Sequence, residues 1–404
     1  MKCGLLGEHL GHSYSPQIHS LLADYEYPLY EKTEAEVPDF VKNGAWSGIN
    51  VTIPYKKTVY PYCTVLSETA RMTGSVNTLT REKNGGLRGD NTDVEGFLAM
   101  VRHSGVDVCG KKTLVLGSGG ASASICAALR ILGVSPVVIS RSGEDNYRNL
   151  DRHRDAEIIV NTTPVGMYPK NGEAPLDLRL FPHCTGVLDI IYNPARTKLL
   201  LQAEELGIPC ANGLYMLVAQ AKRSCELFLG STLPDLEIDR VEGVLSRGMR
   251  NLILVGMPGS GKSTLGRLVS EFSGRSFADA DEELSKRLGM KVSAYLQKYG
   301  EEAFRNEESA VLEALGKRSG WVIATGGGAV LREENYAHLH QNGYIVWIQR
   351  KLENHSTEGR PLSQAGALGE LYAARESRYR RFADSCVENE GTPEDAARQI
   401  VRYL

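Results

Sequence analysis

Two apolar runs in this 404-residue chain each end in a glycine cluster and continue as helix-compatible sequence. Thr113-Leu114-Val115-Leu116 leads into Gly117-Ser118-Gly119-Gly120-Ala121-Ser122. Leu252-Ile253-Leu254-Val255 leads into Gly256-Met257-Pro258-Gly259-Ser260-Gly261-Lys262-Ser263, with Thr264 next. A short, wholly apolar run fits a strand covered on both faces. Strand, glycine turn and helix in that order make a phosphate site, because the first N–H groups of a helix lack internal partners and face an anion. The first loop suits a dinucleotide. The second suits a nucleoside triphosphate.

The rest of the chain fits around these two units. Strand and helix signals alternate, which points to α/β architecture. Residues 113–191 hold strongly apolar strands, residues 195–206 and 213–229 read as helices, and a fresh strand–helix unit begins at Asn251. Gly, Pro, Ser and the acids Asp235, Glu237, Asp239 and Glu242 make the stretch before it the expected linker. A formal charge of −3 gives no reason to expect nucleic acid or an acidic membrane surface as a partner. Eight cysteines without a C-x-x-C pair read as reduced thiols, not as a zinc site or disulfide frame. Glu8 and His9 interrupt the N-terminus too early for a signal-peptide core, and no apolar stretch is long enough to span a membrane, so a cytoplasmic location is expected.

The first glycine loop departs from G-x-G-x-x-G at Ser122 and is a weak signal by itself. The next apolar strand ends in Ser140-Arg141-Ser142, about twenty residues on, where a dinucleotide enzyme recognises the ribose. An arginine there matches a 2′-phosphate, so NADP(H) is expected over NAD. Upstream, Ser13, Ser15, Asn50, Thr52, Asn77 and Asp93 offer hydroxyls, amides and a carboxylate, and Lys56 adds an ammonium. That set suits a small polyhydroxylated anion, although each residue type is also ordinary turn chemistry.

The ordered motifs HSYSP, NVTIPYK, GSVNT, GDNTD, LGSGGAS, NTTPVGM and GLYMLVAQA resemble those of shikimate dehydrogenases from about residue 3 to 229. The resemblance implies an α/β substrate domain (1–95 with 214–235) and a Rossmann-like NADP domain (96–213), joined by a linker (236–249) to a further domain over 250–404. It implies reduction of 3-dehydroshikimate to shikimate, with Lys56 and Asp93 as the catalytic pair. Ser13, Ser15, Asn50, Thr52, Asn77, Asp93 and Gln220 are implied as substrate ligands, and Tyr192 and Gly213 lie near the nicotinamide in that family. Chemically, hydride delivery builds negative charge on the ketone oxygen. Lys56 can donate the neutralising proton, with Asp93 orienting both partners, and the choice of proton donor between them stays open. Val94, Tyr215 and Ser140 depart from residues common in the family.

The second loop fits G-x-x-x-x-G-K-[ST] in full. Its backbone amides would cradle phosphates, Lys262 would reach the β/γ oxygens of ATP, and Ser263 would hold Mg²⁺. Asp279 and Asp281 follow on an extended segment, Arg305 on a helix, and Gly327 and Gly328 after an apolar strand, with Arg360 and Arg375 further on. These features resemble shikimate kinase from about residue 250 to 404, a P-loop NTPase domain with a parallel sheet. The resemblance assigns Asp281, Arg305, Gly327, Gly328 and Arg375 to shikimate, Ser263 and Asp279 to the magnesium region, and Arg360, with Lys262, to catalysis. The stretch Arg350–Glu358 is shorter than the usual lid, which leads us to expect less complete closure over the nucleotide. A bifunctional enzyme handling 3-dehydroshikimate and shikimate is the leading reading. A quinate-type dehydrogenase and a ligand-binding regulator are the alternatives, and the oligomeric state stays open between monomer and homodimer.

Overall fold

The computed structural model describes residues 1–11, 13–351, 353 and 365–404. Its contacts divide into two compact units, one of residues 1–167, 173–192 and 199–244, the other of residues 168–172, 193–198 and 245–404.

The first unit holds two sheets. One is mixed and six-stranded, in the order Leu29–Glu31, Cys3–Gly7, Gly48–Val51, Thr78–Arg81, Leu87–Asp90, Val65–Leu66. Its two antiparallel pairings join Gly48–Val51 to Thr78–Arg81 and Thr78–Arg81 to Leu87–Asp90. The other sheet is parallel and five-stranded, in the order Cys210–Ala211, Gly186–Asp189, Ile158–Asn161, Thr113–Leu116, Val137–Ile139. Strand side chains alternate between faces. Val115, Ile158, Val160 and Leu188 accordingly pack into one core layer, and Leu114, Leu116, Ile159 and Val187 into another. This two-sided burial explains the unbroken apolar runs in the sequence.

The two sheets are tied through the helices Asp93–Ser104 and Leu214–Leu229, which pack on each other. Gly96 makes the close approach possible, since a Cβ there would lie 2.8 Å from Met216 O and 2.9 Å from Gln220 Cβ. The same contact brings Gln220 beside the start of the Asp93 helix.

The segment expected to be a linker is the α-helix Leu236–Met249. Ile238, Val241, Leu245 and Met249 are buried, recurring at helical spacing, while Glu237 and Asp239 stand in the first turn, where the helix dipole favours acids. The polar composition disguises this apolar stripe, and the boundary between the compact units falls inside the helix.

The second unit has one parallel sheet in the order Phe277–Asp279, Val322–Ala324, Asn251–Val255, Gly343–Gln349, Ser385–Glu388. Ile253 and Val255 face one core layer, and Leu252 and Leu254 the other. All eight cysteines are free, and among the described residues no helix is long and apolar enough to cross a membrane.

Candidate functional site

Two sites are built at strand ends, one in each unit. In the first, a cavity of about 520 Å³ is lined by Ser13, Ser15, Asn50, Thr52, Lys56, Asn77, Asp93 and Gln220, so every residue expected to bind substrate there reaches the same space. Ala121, Tyr192 and Gly213 line it from segments that follow strands of the parallel sheet. Lys56 Nζ donates to Asp93 Oδ2 at 2.7 Å, and Asn77 Nδ2 donates to Asp93 Oδ1 at 2.9 Å. Asp93 begins its helix, where the backbone dipole stabilises a carboxylate. Thr92 N donates to Asn77 Oδ1 at 2.8 Å, which fixes which end of that amide faces Asp93.

Asn50 plays a different part from the other lining residues. Its Oδ1 accepts from Tyr27 Oη at 2.6 Å, and its Nδ2 donates to Ser224 Oγ at 2.8 Å and to Thr78 Oγ1 at 3.1 Å. The amide is committed to the fold and props the cavity wall. Beneath it His19 stacks on Tyr27 with ring centroids 4.0 Å apart, and His19 Nδ1 lies 2.6 Å from Tyr25 Oη. Burial pulls the His19 pKa down to about 3, so the ring is neutral.

A second cavity in the same unit, about 620 Å³, is lined by Gly117, Ser118, Gly119, Ser140 and Arg141. Arg141 is exposed, and Ser140 Oγ accepts from Gly143 N at 2.8 Å, which turns the loop that carries the arginine. Gly120 opens the helix Gly120–Ile131, and neither Gly120 nor Ser142 lines this cavity. Tyr147, Thr162, Thr163 and Pro164 line it without having been expected there. The NTTPVGM motif holds three of them and was the available signal. The group fits a dinucleotide: glycines at a helix N-terminus and one cation beyond the neighbouring strand.

In the second unit, a cavity of about 320 Å³ is lined by Gly259, Gly261, Lys262, Ser263, Thr264, Asp281 and Gly327, among others. Ser260 is buried behind it, and its carbonyl accepts from Asn389 Nδ2 at 2.9 Å. Lys262 Nζ donates to Gly256 O and Met257 O, both at 2.9 Å. Ser263 Oγ donates to Asp279 Oδ2 at 2.5 Å, so the two expected magnesium ligands are adjacent. Among the described residues no group of three His, Cys, Asp or Glu side chains could hold a metal. A hydroxyl and one carboxylate suit Mg²⁺, which takes oxygen donors, keeps several waters and shares phosphate oxygens. Arg350, which was not expected, also lines the cavity from the end of the strand Gly343–Gln349.

The acceptor side forms around the glycine turn. Arg375 donates to Gly327 O at 3.0 Å, and Tyr379 Oη donates to the same oxygen at 2.5 Å. Arg305 approaches so closely that a Cβ at Gly328 would lie 2.1 Å from one of its terminal nitrogens. A Cβ at Gly326 would meet Asp281 Oδ1 at 2.7 Å and Glu308 Oε1 at 3.1 Å. Asp281, Arg305, Gly327, Gly328 and Arg375 thus surround one turn, joined by Glu308, which takes a 2.6 Å hydrogen bond from Arg305. Burial raises the Glu308 pKa, and Asp281 adds to this, while Arg305 and Arg375 oppose it. Glu308 stands three residues after Arg305 on one helix face, a spacing visible in sequence. Arg360 lies outside the described residues.

A family model described as the shikimate dehydrogenase substrate binding domain matches residues 5–79, and one described as shikimate kinase matches residues 258–404. A shikimate dehydrogenase (NADP(+)) of Caldanaerobacter subterraneus subsp. tengcongensis is 34% identical over 269 residues, covering 59% of this chain and 96% of the relative. Its counterpart in Syntrophomonas wolfei is 36% identical over 263 residues, covering 57% and 90%. Among solved structures, a chorismate mutase/shikimate 5-dehydrogenase fusion protein from Clostridium acetobutylicum aligns with TM-score 0.57 and 36% identity, covering 60% of this chain and 96% of that one. Shikimate 5-dehydrogenase from Thermus thermophilus, in complex with NADP(H) and shikimate, aligns with TM-score 0.56 and 27% identity, covering 60% and 99%.

Proposed function

Since the chain belongs to the shikimate dehydrogenase family and carries a shikimate kinase domain after it, we propose that it performs both reactions: NADPH-dependent reduction of 3-dehydroshikimate and MgATP-dependent phosphorylation of the resulting shikimate. One observation carries the reading. A single chain holds a polar cavity with a lysine–carboxylate pair and, in its second unit, a P-loop cavity that Asp281 and Gly327 also line.

In the first cavity NADPH, when bound, supplies the hydride. Lys56 Nζ donates a proton to the ketone oxygen as charge develops there, and Asp93 holds the ammonium in place while accepting from a neighbouring substrate hydroxyl. Ser13, Ser15, Thr52, Asn77 and Gln220 bind the carboxylate and remaining hydroxyls, with Asn50 supporting the wall. Gly117, Ser118, Gly119 and the helix beginning at Gly120 would hold the pyrophosphate, and Arg141 would hold the 2′-phosphate.

In the second cavity MgATP, when bound, supplies the phosphoryl group. Ser263 and Asp279 would hold the cation, Lys262, which rests on backbone carbonyls, would bind the phosphates, and Arg305 and Arg375 would clamp the acid. Asp281 orients the hydroxyl that is phosphorylated.

The test is one reaction containing 3-dehydroshikimate, NADPH and MgATP. Shikimate 3-phosphate should accumulate with the wild type. Lys56→Ala should leave 3-dehydroshikimate unreduced, and Lys262→Ala should stop at shikimate. Phosphorylation of added shikimate without reduction, or reduction without phosphorylation, would reject one half of the proposal.

A further inference from the structure

Ser13 and Ser15 line the first cavity from the start of the helix Ser15–Leu22. Tyr14, between them, meets Tyr192 instead: the ring centroids are 5.9 Å apart and the planes stand at 86°. That is an edge-to-face pair, the arrangement favoured by the ring quadrupole. The two rings come from different sheets. Tyr14 follows the strand Cys3–Gly7 of the mixed sheet, and Tyr192 follows the strand Gly186–Asp189 of the parallel sheet.

Tyr192 sits on a firm base. Asp189 Oδ1 accepts from Ile191 N and from Asn161 Nδ2, both at 3.0 Å, and Gly213 N donates to Ile191 O at 3.0 Å. Tyr14 sits on the loop that presents the two serines, with Ser15 N donating to Ser13 Oγ at 3.2 Å. Burial raises the pKa of both phenols, so both rings stay neutral across any ordinary assay pH and the contact is not a titrating one.

We propose that Tyr14 is a positioning residue that couples the substrate loop to the cofactor side of the cavity through Tyr192. The proposal rests on the dehydrogenase function above. An acid bound at Ser13 and Ser15 holds their loop and therefore Tyr14. Tyr14 in turn holds Tyr192 on the wall it forms with Ala121 of the helix that follows the glycine loop, so each ligand favours the other. Linkage makes the effect reciprocal, and one edge-to-face pair is worth about three- to tenfold in affinity.

The experiment measures shikimate binding to the full chain with and without saturating NADP⁺, in the wild type, Tyr14→Ala and Tyr14→Phe. The wild type should bind shikimate more tightly with NADP⁺ present. Tyr14→Ala should lower that enhancement about three- to tenfold, with NADP⁺ affinity in the absence of shikimate held within about twofold. Tyr14→Phe should keep the enhancement, because the ring edge remains. A merely structural role would weaken folding or both binary affinities without changing their ratio. Absence of coupling in the wild type, equal coupling in Tyr14→Ala, or equal loss in Tyr14→Phe would each overturn the proposal. Should Tyr14→Ala not fold, Tyr14→Leu serves as the same test with the loop's apolar bulk retained. A wild type that binds both ligands but reduces no 3-dehydroshikimate would count against the function and not against the coupling.

Discussion

The two cavities manage charge in different ways. In the first, Lys56 and Asp93 are already paired at 2.7 Å, and Asn77 occupies the other carboxylate oxygen. In the second, Lys262 and Arg375 rest on backbone carbonyls. The difference reflects when charge appears. A ketone enters neutral and becomes negative only as hydride arrives, so a site with balanced charge can wait for it. Phosphates and carboxylates enter charged, and they attract an ammonium or guanidinium more strongly than a carbonyl dipole does. The kinase site is thus set to exchange partners on binding, whereas the dehydrogenase site is set to keep them.

The sharpest way to break this contrast is Lys56→Ala. It should lower dehydrogenase kcat by about 10²–10⁴, the range for losing a positioned proton donor, with kinase kinetics unchanged. Steady-state assays of both reactions on one preparation would show it, and a drop in both would mean that the sites are not independent. Glu308→Ala should destabilise the kinase unit by about 1–3 kcal/mol, because it removes the 2.6 Å charge-assisted bond to a part-buried Arg305 and leaves that guanidinium only the longer contact to Glu301. Thermal or urea unfolding reads this, and saturating shikimate should restore part of it by giving Arg305 a new carboxylate. Arg141→Ala should raise the KM for NADPH about 10- to 100-fold, as expected for lost charge-assisted hydrogen bonds, and leave the KM for NADH nearly unchanged.

The smallest effect concerns pH. His19 is held neutral in the fold, with its pKa lowered to about 3, while an unfolded histidine takes up a proton near 6.5. Between those values the unfolded chain binds more protons, so stability is fully present above pH 6.5 and falls on acidification towards 3. The slope from this one group is about 1.4 kcal/mol per pH unit. In His19→Gln, unfolding of the first unit measured between pH 7 and 5 should lose about that much of its pH dependence. An unchanged slope would mean that the ring does not stay neutral as the buried network requires.

Much of the second site is legible in sequence because its chemistry is local. Gly256 to Ser263 carry the phosphate turn, the lysine and one metal ligand on adjacent positions. Asp279 stands at the end of the next strand of the fold and caps the helix Ala280–Leu288. Glu308 is harder to see, since its significance depends on Arg305 being turned towards the glycine turn. In the first unit, Ser13, Lys56, Asp93 and Gln220 are far apart in the chain, and only the motif order suggests that they meet. The role of Asn50 was not legible: its residue type suits a ligand, but Tyr27, Ser224 and Thr78 claim its amide.

By itself, then, the sequence determined the α/β class, the two phosphate loops and the residue types that could serve a polyhydroxy acid. Those depend on hydrophobic period, backbone freedom and side-chain chemistry over a few neighbouring residues. The tertiary structure decided that residues 236–249 form a helix with a buried stripe, that Asn50 supports the wall, and that Tyr14 turns to Tyr192. Each of these depends on which distant side chain arrives at the same place. Packing settles that, through contacts such as the one Gly96 permits between two helices more than a hundred residues apart in sequence.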